Sequence, residues 1–140
     1  MLGNWTGTYK YLGTRFPEEL RNRETKFTIE ITDFDGIKFS GQVQDEPETG
    51  GMKGLGKIEG NVKNGIIKFI KEMPIQSVYM PDGSKVEEKK PHRKIYYSGK
   101  ISDNQIEGIW KFKFGFGKVN NRWVIFPRSK GTWKMNKDVL

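Results

Sequence analysis

Apolar and polar positions alternate with a period of two along most of this chain. The clearest stretch is IYYSGKISDNQIEGIWKFKF, residues 95–114. Ile95, Tyr96, Tyr97 and Ile101, then Ile106, Ile109, Trp110 and Phe112, favour strand, and Asp103-Asn104 between them favours a turn. The pattern predicts a hairpin. Yet Gly99 and Gly108 stand inside its arms, where glycine normally weakens pairing. The motif recurs as Trp5-x-Gly7-x-Tyr9, Phe39-x-Gly41-x-Val43, Ile58-x-Gly60-x-Val62 and, relaxed, Gly131-x-Trp133-x-Met135. Each glycine shares the parity of its apolar neighbours, so each points to the buried, concave face. Inward glycines let a sheet bend sharply, which is how small barrels turn corners.

The alternation predicts eight strands, near 3–12, 26–34, 37–45, 54–62, 65–73, 93–101, 105–114 and 123–135. The connections at 33–36, 63–65 and 102–105 are tight, with Asn, Asp or Gly where positive φ is useful. Those near 13–25, 46–53, 74–92 and 115–122 are long. Successive connections of an antiparallel meander lie at opposite ends, so one end is trimmed and the other carries every long loop. The fold class is all-β: an eight-stranded antiparallel up-and-down barrel, one domain over 1–140, with a decorated mouth where functional residues concentrate. Pro17-Glu18-Glu19-Leu20-Arg21 offers one helical turn. Pro81-Asp82-Gly83 marks a turn in the longest loop, which reads as a small protruding hairpin, a mouth lid or a disordered loop, with the hairpin favoured. FGFGK (114–118) reads as a flexible turn.

Parity also assigns the lumen. Trp5, Ile31, Phe39, Val62, Ile67, Ile101, Ile106 and Trp133 form a floor at the trimmed end. Tyr9, Tyr11, Phe27, Ile29, Val43, Phe69, Lys71, Tyr97, Trp110 and Phe112 stand nearer the mouth, with Asp45 just beyond Val43. The candidate ligand-binding set is Tyr9, Tyr11, Phe27, Asp45, Phe69, Lys71, Tyr97, Trp110 and Phe112: aromatic walls with a few orienting polar groups, as a small-molecule pocket requires. The competing reading is a filled barrel, in which Lys71 pairs with Asp45 at the rim or snorkels out and the tyrosines are core. The last strand is ambiguous. Trp123 and Ile125 share parity with Trp133, but Pro127 cannot donate to a ladder, and a bulge there would turn Val124 and Phe126 inward.

Composition narrows the classes. With 140 residues the chain suits one core, and 13% aromatics with 17 glycines suit a β protein. There is no cysteine, hence no disulfide framework or thiolate chemistry. That fits a reducing, cytoplasmic compartment, although a secreted mature chain would read the same. No apolar run is long enough to span a membrane as a helix. The net charge of +8 is uneven: residues 1–60 carry −2 and residues 111–140 carry +7. A basic C-terminal region can attract nucleic acid or anionic lipid, or Lys111 and Lys113, alternating with Phe112 and Phe114, are a solvated outward row; base stacking would need exposed rings. Parity turns Trp110 and Phe112 inward, away from Lys111 and Lys113, so nucleic acid is disfavoured as a partner. A homo-oligomer is compatible with the sequence.

The Gly3-Asn4-Trp5 opening, the Gly131-Thr132-Trp133 near the end, and the short strands FSGQV, IEGNV, YSGKI and IEGIW resemble the calycins: lipocalins, fatty-acid-binding proteins and, most closely, avidins. The resemblance implies a barrel that binds a small apolar or amphipathic ligand in its mouth, with Trp5 as a floor tryptophan. The cysteines typical of secreted lipocalins and the helical lid of fatty-acid-binding proteins are missing, and the biotin-contacting set of avidins has no match.

No catalytic constellation, metal set or cofactor motif stands out. His92 is the single histidine, which leaves both a metal cluster and a triad without support. Catalysis is the lesser alternative: Lys71, Asp45, Tyr11 and Tyr97 would do acid–base work only if burial shifted a pKa.

Overall fold

The computed structural model describes residues 1–13, 18–79, 84–126 and 128–139. The chain runs β1 (Gly3–Leu12), α1 (Glu18–Asn22), β2 (Thr25–Phe34), β3 (Lys38–Asp45), β4 (Leu55–Lys63), β5 (Ile66–Glu72), β6 (Gln76–Tyr79) and β7 (Lys85–Glu88). It continues through β8 (Ile95–Ser102), β9 (Gln105–Phe112), β10 (Gly115–Val119), β11 (Arg122–Phe126) and β12 (Ser129–Lys137). Eight strands close an antiparallel barrel in the order β1-β12-β9-β8-β5-β4-β3-β2. Two hairpins, β6–β7 and β10–β11, are inserted in the connections from β5 to β8 and from β9 to β12. All eight barrel strands lie where alternation expected them, except at the last. The helical turn begins at Glu18, and both Pro17 and the turn at Pro81-Asp82-Gly83 fall outside the described residues.

The tight connections share one end of the barrel. Asn64 and Gly65 join β4 to β5 with φ of 53° and 76°, the two left-handed residues that fit a hairpin to the twist of its strands. The three-residue link between β2 and β3 is held by Asp35, whose carboxylate accepts from the backbone N–H of Ile37 and Lys38 at 2.9 and 2.6 Å. These two donors hold the Asp35 carboxyl below the ordinary range.

The glycines inside the strands face large side chains across the ladder. Gly7 stands opposite Phe27, Gly60 opposite Phe69, Gly131 opposite Trp110 and Gly108 opposite Trp133. Gly99 and Gly108 face each other, and the pair makes a slot for the Trp133 indole. A Cβ on Gly99 would come within 2.8 Å of that ring, and one on Gly108 would overlap the Ser98 carbonyl. In the slot, Trp133 Nε1 donates to the carbonyls of Ser98 (3.1 Å) and Ile109 (3.0 Å). This answers why each arm of that hairpin carries a glycine: the strand gives up side-chain packing so that a neighbouring ring can cover its backbone.

The floor is built as alternation required. Trp5, Ile31, Phe39, Ile67, Ile106 and Trp133 are buried, while Val62 and Ile101 are partly buried against them. Trp5 Nε1 donates to the Met1 carbonyl at 3.0 Å, so the chain start lies across the floor.

One expectation is overturned. The single strand expected over 123–135 is two elements, and the supposed loop at 115–122 is mostly strand. Asn120 and Asn121, with φ of 50° and 63°, form a two-residue turn that pairs β10 with β11 outside the barrel. FGFGK is therefore not a flexible turn. The missing side chain of Gly117 leaves room for the Phe126 ring, which a Cβ there would strike. Phe126 and Val119 are buried, whereas Trp123 and Ile125 are exposed. The path through Pro127 lies outside the described residues.

Candidate ligand site at the barrel mouth

β3 and β5 end at the mouth, and their last inward positions are Asp45 and Lys71. The alternation along β3 that buries Phe39 and Val43 also buries Asp45. Along β5, Ile67 and Phe69 bring Lys71 to the same face. Lys71 Nζ lies 2.6 Å from Asp45 Oδ1, with the two side chains only 2% and 0% exposed. Asp45 Oδ2 accepts from the Tyr9 hydroxyl at 3.1 Å and from the Met52 backbone N–H at 3.2 Å. The ammonium lies 5.0 Å from the centre of the Tyr9 ring, 5.8 Å from Tyr97 and 6.0 Å from Phe27. Ring faces are partially negative and attract a cation at this range.

Met52 comes from the loop between β3 and β4. A single 3-10 turn over Pro47–Thr49 and a left-handed Gly50 fold that loop back. Thr25 pins it by donating to the Thr49 carbonyl at 2.8 Å. Met52, Met73 and Ile95 are buried at this end, and none of the three was expected there. Met52 is a loop residue with no period to reveal it, while Ile95 and Met73 share the parity of Tyr97 and Lys71 and were within reach of the alternation.

The aromatic set continues from this centre. Phe69 stacks on Tyr97 at 4.7 Å, and Tyr9 on Phe27 at 6.2 Å. Tyr11 meets Trp110 edge-on at 5.1 Å, and Trp110 meets Phe112 at 5.7 Å. Of the nine candidate residues, Tyr9, Phe27, Asp45, Lys71 and Tyr97 gather around one ammonium and Phe69 stacks on the last of them. Tyr11, Trp110 and Phe112 form the adjoining wall, with Tyr11 partly exposed and the others buried. Lys71 does pair with Asp45, and it does so inside the barrel.

The electrostatics limit the chemistry. Burial raises both phenols, Tyr9 and Tyr97, well above the ordinary tyrosine value, and the nearby Asp45 charge adds to it. Neither is a phenolate at neutral pH, so neither serves as a base. No trio of His, Asp or Glu among the described residues could hold a metal ion, and no helix among them is long and apolar enough to cross a membrane.

A second feature lies outside the barrel. A cavity of about 420 Å3 opens between β10 and residues 90–94, bordered by the exposed rings Phe114 and Phe116. Sequence reasoning missed it, although Asn120-Asn121 between two alternating runs was the signal that could have found the hairpin.

No known protein family, curated protein or solved structure matches the chain. The likeness to calycins therefore rests on architecture, a closed eight-stranded antiparallel barrel with meander-like neighbours.

Proposed function

We propose that the barrel mouth binds a small, partly apolar molecule, anchored by Lys71 and walled by Tyr9, Phe27, Phe69 and Tyr97. The observation that carries this reading is the depth of the Asp45–Lys71 pair, which lies inside the barrel and not at the rim where a filled barrel was expected to hold it. Burying two charges costs several kcal/mol per ion before their attraction repays it, and apolar replacements of similar volume are often as stable. A barrel needing only a plug would do as well with apolar residues at both positions.

The pair also limits the ligand. Lys71 uses one donor on Asp45 and turns the rest of its ammonium toward rings, so it can donate to an incoming oxygen. A second anion beside Asp45 would leave net charge buried, which is costly. The favoured ligand is therefore an uncharged molecule with an acceptor oxygen and an apolar or aromatic body. The side chains of Met52 and Met73, adaptable by chemistry, are the parts that would move to admit it.

Native mass spectrometry of the protein as purified from cells tests this, followed by a thermal-shift screen of uncharged amphipathic compounds. A discrete adduct, or a compound whose stabilisation disappears in the Asp45→Asn/Lys71→Met double variant, is the expected result. The double variant is the better control, because Lys71→Met alone strands a buried carboxylate at a cost of about 3–5 kcal/mol. A bare protein that responds to no compound, together with a double variant at least as stable as wild type, would leave the barrel as a filled core and end the proposal.

A further inference from the structure

The β10–β11 hairpin exposes a face that folding leaves uncovered. Phe116 pairs across the ladder with Ile125, and Lys118 with Trp123, so all four share one side. Phe116 is 68% exposed, Trp123 74% and Ile125 61%. Phe114 stands beside them, edge-on to Phe116 at 5.4 Å. A contiguous apolar patch of this kind marks an interaction surface more often than chance exposure does.

A groove of about 420 Å3 is lined from the other face of the hairpin by Gly117 and Phe126, and it reaches the ring-bearing face at Phe114, Phe116 and Lys118. Its lining contains Lys90, Arg93, Lys94, Lys113 and Lys118, and no carboxylate. Several of these cations are held by rings. Arg93 lies 4.1 Å from the centre of Phe112 and 4.6 Å from Phe126. Lys113 Nζ is 4.3 Å from the Tyr96 ring, and Lys118 Nζ is 5.2 Å from Trp123. Lys90 is fixed at the edge of β10, donating to the Lys118 carbonyl at 2.7 Å and lying 3.7 Å from Glu88, which also accepts from the Asn120 N–H, so the cations open to phosphate are chiefly Lys94 and Lys113.

We propose that this surface binds single-stranded nucleic acid, with the groove following the phosphates and Phe116, Trp123 and Phe114 stacking on bases. A cationic groove beside exposed aromatic platforms is the arrangement by which single strands are held without sequence readout. Phe114 and Phe116 meet edge-on and make one platform, and Trp123 on the neighbouring strand makes a second. The expectation that the basic region lacked exposed rings holds for Trp110 and Phe112, which are buried, but not for the hairpin.

Two observations and one property of duplexes favour this occupant. Residues 111–130 hold six basic and no acidic side chains, so pairing two copies through this face would set cations against cations. The hairpin tip is Asn120-Asn121, and the rings lie along its broad side, whereas insertion into lipid would call for an apolar tip. Duplex ends aside, double-stranded nucleic acid keeps its bases stacked on one another and offers the rings little. The surface shares none of the residues that carry the barrel-mouth proposal, so either can fail alone.

The test is fluorescence anisotropy of a labelled, mixed-sequence single-stranded oligonucleotide, titrated with the full chain at several salt concentrations. Wild type is expected to bind and to show quenched tryptophan fluorescence. Phe116→Ala and Trp123→Ala should each weaken binding roughly 5- to 150-fold, the range for losing one stacked base. Lys94→Ala and Lys113→Ala should each flatten the salt dependence by about 0.7 in log–log slope. Exposed side chains are changed in every case, so melting curves should match wild type. Absence of binding at low salt overturns the proposal. So does equal affinity for duplex with no effect of the ring variants, which would mean charge alone. Ring-dependent binding to vesicles of phosphatidylcholine and phosphatidylserine without oligonucleotide binding would assign the face to membranes. Ring-dependent self-association in the ultracentrifuge, without oligonucleotide binding, would assign it to a second copy.

Discussion

His92 is buried, and each ring nitrogen meets a carbonyl, Nδ1 with Arg93 at 2.7 Å and Nε2 with Ser77 at 2.9 Å. A neutral imidazole has one N–H and satisfies only one of them. Burial nonetheless depresses the pKa of His92, outweighing the pull of the two carbonyls, and the charges of Arg93 and Lys71 act in the same direction as burial. Above the ordinary value of 6.5 both the folded and the unfolded imidazole are neutral, and nothing is lost. Below it the unfolded chain takes up a proton that the folded chain resists, so stability falls as pH drops toward the depressed value. Urea midpoints measured between pH 8 and about 5 should therefore fall more steeply in wild type than in His92→Gln, which keeps a donor but does not titrate. A wild type that gains stability on acidification relative to that variant would mean that the carbonyls win and the imidazolium is the folded form. At the same scale, Gly108→Val should cost about 3 kcal/mol or more, because overpacking alone costs 1–3 and here the clash is with the backbone of β8 as well. A denaturation midpoint close to wild type would contradict the slot that Gly99 and Gly108 make for Trp133.

The elements were legible to the degree that one rule governed them. Where a strand is buried on one face and wet on the other, parity is forced, since a one-residue slip would exchange its faces. Every inward position read along β1 to β5, β8 and β9 is buried or partly buried in the structure. The same rule failed only within the insertion after Phe112, where β10 and β11 answer to a different surface, and it holds again at Trp133 and Met135. Phe126 and Val119 pack inward, while Trp123 and Ile125, which share the parity of Trp133, face solvent. Alternation cannot say which sheet a strand belongs to, and reading Gly115 and Gly117 as looseness hid a strand. The β6–β7 hairpin was found because its turn residues are more conventional, although the turn itself lies outside the described residues. In the candidate site, Asp45 and Lys71 were legible by parity and their pairing was one of the two readings, but its depth inside the barrel and the Met52 N–H were not. Both depend on how far two strands stagger and on a loop folding back.

At the scale of the molecule, the barrel and its basic hairpin are separable in principle, because β9 and β12 pair directly. Phe112 and Ser129, which bracket the insertion, are partners across the ladder, and such partners have Cα atoms about 5 Å apart. Asn-Gly can therefore replace residues 113–128 as a two-residue hairpin turn without reopening the closure of β1 on β12. The cost should be chiefly the burial supplied by Phe126 and Val119, about 1.5–3 kcal/mol each, together with the cover that Phe126 gives Arg93. The net charge falls by four, since Lys113, Lys118, Arg122 and Arg128 go while Lys111 and Lys130 stay. The shortened chain should keep the far-ultraviolet signature of the barrel, unfold cooperatively at a lower temperature, retain any ligand of the mouth and lose oligonucleotide binding. If it fails to fold even when stabilised by osmolyte, the hairpin is part of the barrel's core and not an appendage. If it folds and still binds oligonucleotide with unchanged salt dependence, the nucleic-acid surface lies elsewhere on the barrel wall.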